Sequence, residues 1–197
     1  MQHFTSGESY LENIDNDSNK LGSFENVNYL EAGVILLDVR LPGISGLEVY
    51  ERQRQIIPFN HKPILIMTGH GEVDMAVSAL KNGAYDFLTK PVDPTKLLSN
   101  IDKAYKLSEE LLEIRKFIFN FDQRFGKLTT RESEIAELIA LNNPNKSIAE
   151  KLGISVRTIE LHRSRIFNKM EVSSASEIAA KFEKYSFSKR RFLSSRT

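Results

Sequence analysis

The 197-residue sequence contains no cysteine, which excludes a disulfide framework and a cysteine-ligated zinc site. No apolar run approaches the roughly 18 residues that a membrane-spanning helix needs, and the stretch after Met1 has no signal-peptide pattern. A membrane partner is therefore not expected, and the cytoplasm is the expected location. No internal repeat is evident. A large excess of one charge is also missing, since the net charge is only +1. Apolar residues make up 41% and charged residues 27%, the balance of an ordinary globular chain of one or two domains.

The charge is unevenly placed. Residues 1–126 carry 13 Lys/Arg against 18 Asp/Glu, whereas residues 127–197 carry 14 against 8. An acidic first part joined to a basic second part points to a polyanionic partner for the second. A solvated basic surface would give the same count.

Residues 34–50 read VILLDVRLPGISGLEVY. The short apolar run without helical period predicts a buried strand of a parallel sheet, closed by Asp38. Pro42, Gly43 and Gly46 predict a sharp turn before a helix over about 46–55. Further on, PILIMT predicts a strand at 63–68, then a helix at 73–82, a strand at 86–89 and a helix starting at Pro94 and running towards Phe119. A short helix is expected within 6–14 and a loop over 15–23. Alternating strands and helices predict an α/β fold with a parallel sheet. Residues 107–126 predict a charged amphipathic helical linker. Beyond it only helices are expected, near 130–141, 146–152, 156–170 and 175–184, with a basic, frayed tail over 186–197.

Asp38, Thr68 and Lys90 all fall at strand ends. Strands of a parallel sheet end on one side, so the three can meet in one pocket. An aspartate carboxylate can attack phosphorus, a lysine ammonium can neutralise phosphoryl oxygens, and a threonine hydroxyl can donate to one of them. A structural Asp–Lys ion pair beside a capping threonine fits the spacing as well, and Asp38 alone also fits a helix cap.

The pieces LLDVRLPGISGLE, PILIMTGHGEVDMAV and ALKNGAYDFLTKPVD closely resemble the receiver domain of two-component response regulators. The resemblance implies a flavodoxin-like receiver over 1–106, with Asp38 as phosphoacceptor, Thr68 as switch hydroxyl, Phe87 as switch aromatic and Lys90 as phosphate-binding lysine. It also implies a cis peptide at Lys90–Pro91 and a sensor histidine kinase as partner. The family uses Mg²⁺, held in part by two acidic residues that end a first strand. No apolar strand ending in two acids precedes Asp38 here, so the metal role falls on Asp38 alone and Mg²⁺ binding is expected to be weak. The receiver reads as truncated, lacking its first strand and helix, which leaves the strand at 34–37 with an unpaired apolar edge.

The segment NKSIAEKLGISVRTIELHRSRIFNKM combines two helical patterns around LGIS, the helix-turn-helix arrangement whose second helix enters the DNA major groove. An ordinary helical hairpin with a solvated face is the alternative. With LTTRESEIAELIA, residues 127–185 resemble the all-α LuxR-type DNA-binding domain, and the whole resembles the FixJ/NarL class of response regulators. That implies double-stranded DNA as ligand and a homodimer formed through the last helix. Asn145, Lys146, Arg157, Thr158, Arg163, Arg165 and Lys169 are the expected phosphate or base contacts. Glu160 and Ser164 are the expected base readers. His162 fits either a phosphate contact or a packed position, and Glu132 a structural helix start.

The leading expectation is a DNA-binding transcriptional regulator controlled by phosphorylation of Asp38, and not an enzyme. The alternative is a phosphorylation-independent DNA-binding regulator that uses its degenerate receiver for dimerisation.

Overall fold

The computed structural model describes residues 2–19, 31–56, 61–69 and 73–194. The chain forms two compact units, one built from residues up to Arg115 and one spanning Lys116–Arg191.

The first unit holds α1 (Gly7–Asn19), β1 (Ile35–Asp38), α2 (Gly46–Ile56), β2 (Ile64–Thr68), α3 (Val73–Lys81), β3 (Asp86–Thr89) and the start of α4 (Pro94–Phe125). The strands form a parallel sheet in the order β1-β2-β3. β2 is central, and Ile64, Leu65 and Ile66 are all buried, as a strand covered on both faces requires. Leu37, Val39 and Ile66 pack with Val49 and Tyr50 of α2 and with Leu11 and Ile14 of α1. Pro94 opens α4, and the Asp93 carboxylate accepts the N–H groups of Thr95 (2.7 Å) and Lys96 (3.1 Å), capping its first turn. The Lys90–Pro91 peptide is cis.

Two local expectations need correction. Residues 15–19, expected as loop, continue α1, which is capped at its start by the Ser6 hydroxyl accepting the Ser9 N–H at 3.2 Å. The remainder of that expected loop, 20–23, lies outside the described residues.

The second unit contains the last turns of α4 with α5 (Thr130–Ala140), α6 (Asn145–Leu152), α7 (Val156–Met170) and, up to Arg191, α8 (Ala175–Ser194). Its core is largely aliphatic: Ile135, Ile139, Ile148, Ile159, Ile166, Met170 and Ile178 are at most 1% exposed, and buried Phe121 joins them. α8 corrects the second expectation. The basic segment does not fray at 186 but stays helical through Ser194. Tyr185 stacks on Phe121 of α4 at 4.1 Å, Lys189 lies over the Tyr185 ring at 4.7 Å, and Ser188 is buried. Packing against aromatic partners holds a helix that its charges alone would not.

Candidate functional sites: a strand-end pocket and a nucleic-acid interface

Parallel pairing aligns Asp38 with Met67, and Thr68 with Thr89, so all three strands finish at the same edge of the sheet. Two backbone bonds extend that edge. The Val39 N–H donates to Met67 O at 2.9 Å, and the Lys90 N–H donates to Thr68 O at 2.8 Å. The Lys90 ammonium, one residue past β3, donates to the Asp38 carboxylate. The other Asp38 oxygen accepts the Arg40 N–H at 3.1 Å. The side chains of Asp38 and Lys90 are 27% and 44% exposed, so an incoming group can reach both.

Thr68 is fully buried, and its hydroxyl donates to the Gly69 carbonyl at 3.2 Å. Phe87 lies half-buried against the first core. The geometry thus joins Asp38 to Lys90 directly, with Thr68 on the adjoining strand end and Phe87 within the sheet. Such a pair presents a nucleophilic oxygen beside a fixed cation, which suits a group that arrives with negative oxygens.

Mg²⁺ is ordinarily held by one or two carboxylates together with phosphate oxygens and waters, and Asp38 is the carboxylate at these strand ends. Among the described residues no three His, Cys, Asp or Glu side chains stand close enough to hold a metal, and Mg²⁺ seeks near-octahedral oxygen ligation.

The second site is built by the turn between α6 and α7. Gly153 ends α6 at φ 66°, a left-handed conformation that glycine adopts without strain. Ser155 then caps α7, its hydroxyl accepting the Thr158 N–H at 3.1 Å. Ile159, Ile166 and Met170 turn into the core. The opposite face of α7 is left to solvent, where Arg157, Glu160, Leu161, Ser164 and Arg165 are exposed. Arg163 is half-buried, its guanidinium 5.1 Å from the centre of the Phe167 ring. Thr158 shares a 2.8 Å hydrogen bond with the Ser155 hydroxyl at the helix start, where free N–H groups and the helix dipole favour anions. Asn145 and Lys146 open α6, Lys146 exposed and Asn145 half-buried. His162 is half-buried, with Nδ1 enclosed and unpartnered.

Lys169, an expected DNA contact, is also paired within the fold. Its ammonium is bonded at 2.6 Å to Glu132, which is buried at the first turn of α5. Glu132 also closes a capping box with Thr129, accepting the Thr129 N–H at 2.9 Å. The Lys169 bond first, then the Thr129 N–H, hold the Glu132 carboxyl down at about 2. Lys169 thus holds a structural carboxylate while about a third of its side chain stays in solvent, and Glu132 is the structural helix-start residue expected of it.

Leu161 is absent from the residues the sequence singles out, yet it is 59% exposed between Glu160 and His162. The only sequence signal is an apolar residue on the polar face of an amphipathic helix. An exposed leucine there suits contact with a thymine methyl group.

Residues 3–102 match the family model described as the response regulator receiver domain, and residues 126–182 match that of the bacterial regulatory proteins of the luxR family. The chain is 40% identical over 154 residues to the tetrathionate response regulatory protein TtrR of Salmonella typhimurium, covering 78% of this chain and 72% of that one. It is 39% identical over 150 residues to the transcriptional regulatory protein FixJ of Bradyrhizobium diazoefficiens, covering 76% and 72%. Among solved structures, the response regulator StyR is similar with a TM-score of 0.66 at 32% identity, over 90% of this chain and 94% of that one.

Proposed function

The chain belongs to the two-component response regulators that join a receiver domain to a LuxR-type DNA-binding domain, and on that premise we propose that Asp38 is its phosphoacceptor and that the Asp38 phosphoryl group controls DNA binding by α6 and α7. The chain is a transcriptional regulator of a two-component system. The observation that carries the finer assignment is the Lys90–Asp38 bond at the shared edge of β1, β2 and β3.

The donor is a phosphohistidine of a sensor histidine kinase. An Asp38 carboxylate oxygen bonds to phosphorus as the bond from phosphorus to the imidazole nitrogen breaks. The electron pair leaves on that nitrogen, and the phosphoryl oxygens come to rest on the Lys90 ammonium. The Thr68 hydroxyl, released from Gly69 O, then donates to a phosphoryl oxygen, and Phe87 repacks with it. Asn145, Lys146, Arg157, Thr158, Arg163 and Arg165 contact DNA phosphates or base edges, while Glu160, Leu161 and Ser164 read bases. The regulator works in the cytoplasm and binds its operator as a homodimer.

Fluorescence anisotropy with a labelled duplex tests the coupling. Treatment with a small phosphodonor tightens binding by about tenfold, within the usual range for coupled sites, and Asp38→Asn does not respond. An equal response from both chains contradicts the assignment.

A second reading is favoured by the single carboxylate, Asp38, that the described strand ends offer to Mg²⁺, on which receiver chemistry generally depends. In it the chain binds DNA without phosphorylation and uses the receiver to dimerise. Binding that is salt-dependent but indifferent to phosphodonor supports this reading.

A further inference from the structure

The loop from Asp38 to α2 is held at both ends and at its middle. At one end the Asp38 carboxylate accepts the Arg40 N–H. At the other, the Gly46 N–H donates to Val39 O at 2.9 Å, and a Cβ on Gly46 would stand 1.9 Å from the Asp38 carbonyl oxygen. α2 therefore starts in contact with the Asp38 peptide itself. The middle of the loop meets α1. The Glu8 carboxylate accepts the Ile44 N–H at 3.0 Å. Gly43 has φ +79°, and a Cβ there would lie 2.2 Å from Glu8 Oε1, so the loop backbone rests on the carboxylate.

The helix start that carries Glu8 is itself tightly seated. A Cβ on Gly7 would meet Val49 Cγ2 at 2.3 Å and Ile44 Cγ1 at 2.9 Å. The Glu8 and Ile44 N–H groups, in that order, hold the Glu8 carboxyl below its usual range, so the clamp is anionic at neutral pH.

We infer that Glu8 is a positioning residue for the phosphoacceptor: by clamping the loop at Gly43 and Ile44 it fixes where the Asp38 carboxylate is presented to an incoming phosphoryl group. This role rests on the phosphoacceptor reading of Asp38. Nothing in the transfer requires Glu8 to touch phosphorus. Its contribution is geometric, and small misplacements of a nucleophile slow transfer steeply.

The test follows phosphoryl uptake from acetyl phosphate in the presence of Mg²⁺ by intact mass, using the full chain, Glu8→Ala, Glu8→Gln and Gly43→Ala. Glutamine keeps an acceptor oxygen on the same stem, and alanine removes it. Glu8→Ala is expected to slow uptake by about tenfold or more and Glu8→Gln by no more than about twofold. Hydrogen exchange at the Ile44 amide is expected to quicken in Glu8→Ala and not in Glu8→Gln. A residue that serves only to stabilise α1 would shift the unfolding midpoint without this split in rates. Gly43→Ala drives a methyl group against the carboxylate while leaving α1 intact, and it slows uptake as well. Unslowed uptake in Glu8→Ala overturns the inference, and unslowed Gly43→Ala overturns it should Glu8→Ala not fold. A wild-type chain that takes up nothing is a different failure, that of the phosphoacceptor reading, and the positioning role falls with it.

Discussion

Lys169 and Glu132 are joined by an ion pair at 2.6 Å that ties the last turn of α7 to the first turn of α5. Glu132 is buried, while Lys169 keeps about a third of its side chain in solvent. α7 is therefore anchored at its C-terminal end by a carboxylate 37 residues away in sequence.

Removing that carboxylate has a pH signature. The folded value of Glu132 lies at about 2, below the ordinary 4.5. Its stabilisation is fully present above the unfolded value and drains as pH falls towards the folded one. Glu132→Gln is expected to lower stability by about 2 kcal/mol at pH 7, since a partly buried cation loses its partner. Denaturant melts at pH 7 and near pH 2.5 check this, with the difference between wild type and variant shrinking at the lower pH.

Under the proposed placement of α7 against DNA, the charged residues of its exposed face set affinity and the apolar one sets preference. Arg165→Ala is expected to weaken duplex binding and reduce the slope of log affinity against log salt by about one unit, the mark of a lost phosphate contact. Arg163→Ala weakens binding as well. Leu161→Ala is expected to leave the salt slope unchanged and to relax preference at one base position by about 1 kcal/mol. Binding to a panel of duplexes across a salt series separates the two effects.

Gly153 separates folding from recognition. It has φ +66° and open space where a Cβ would stand, so alanine there costs backbone strain without a clash. Gly153→Ala is expected to lower stability by about 1 kcal/mol, read as a shift in the thermal midpoint, with duplex affinity retained.

The aromatic cluster of α4 and α8 carries the end of the second unit. Phe121 is buried and touches Phe125 at 5.8 Å, Phe182 at 5.1 Å and Tyr185 at 4.1 Å between ring centres. Phe121→Ala is expected to cost about 3–4 kcal/mol, a typical loss for a buried phenylalanine, and to lower the helical signal as α8 shortens. Calorimetry and far-UV circular dichroism check both.

Much of this architecture was legible because local chemistry and period agree. The strand over Asp86–Thr89 and the helix over Val156–Met170 have the expected bounds, set by Asn82, Gly83 and Pro91 around the one and by Ser155 and an Ile159–Ile166–Met170 stripe in the other. What stayed hidden depends on distant partners. The run after Tyr185 reads as a solvated basic tail until Phe121, far back in the chain, is seen beneath it. The pairing of Lys169 is hidden because its carboxylate belongs to another helix. Leu161 is overlooked because an apolar residue in a helix is ordinarily core, and only its 59% exposure shows otherwise. Glu8 lies on a helix start that looks like polar lead-in, and its link to the loop after Asp38 spans 36 residues.

The proposed function turns on whether Asp38, paired with Lys90, receives a phosphoryl group. The most direct measurement is the intact mass of the 197-residue chain after incubation with Mg²⁺ and a small phosphodonor, beside Asp38→Asn. A single added phosphoryl group on the wild type and none on the variant is the expected result. No adduct on the wild type, or the same adduct on both, contradicts it.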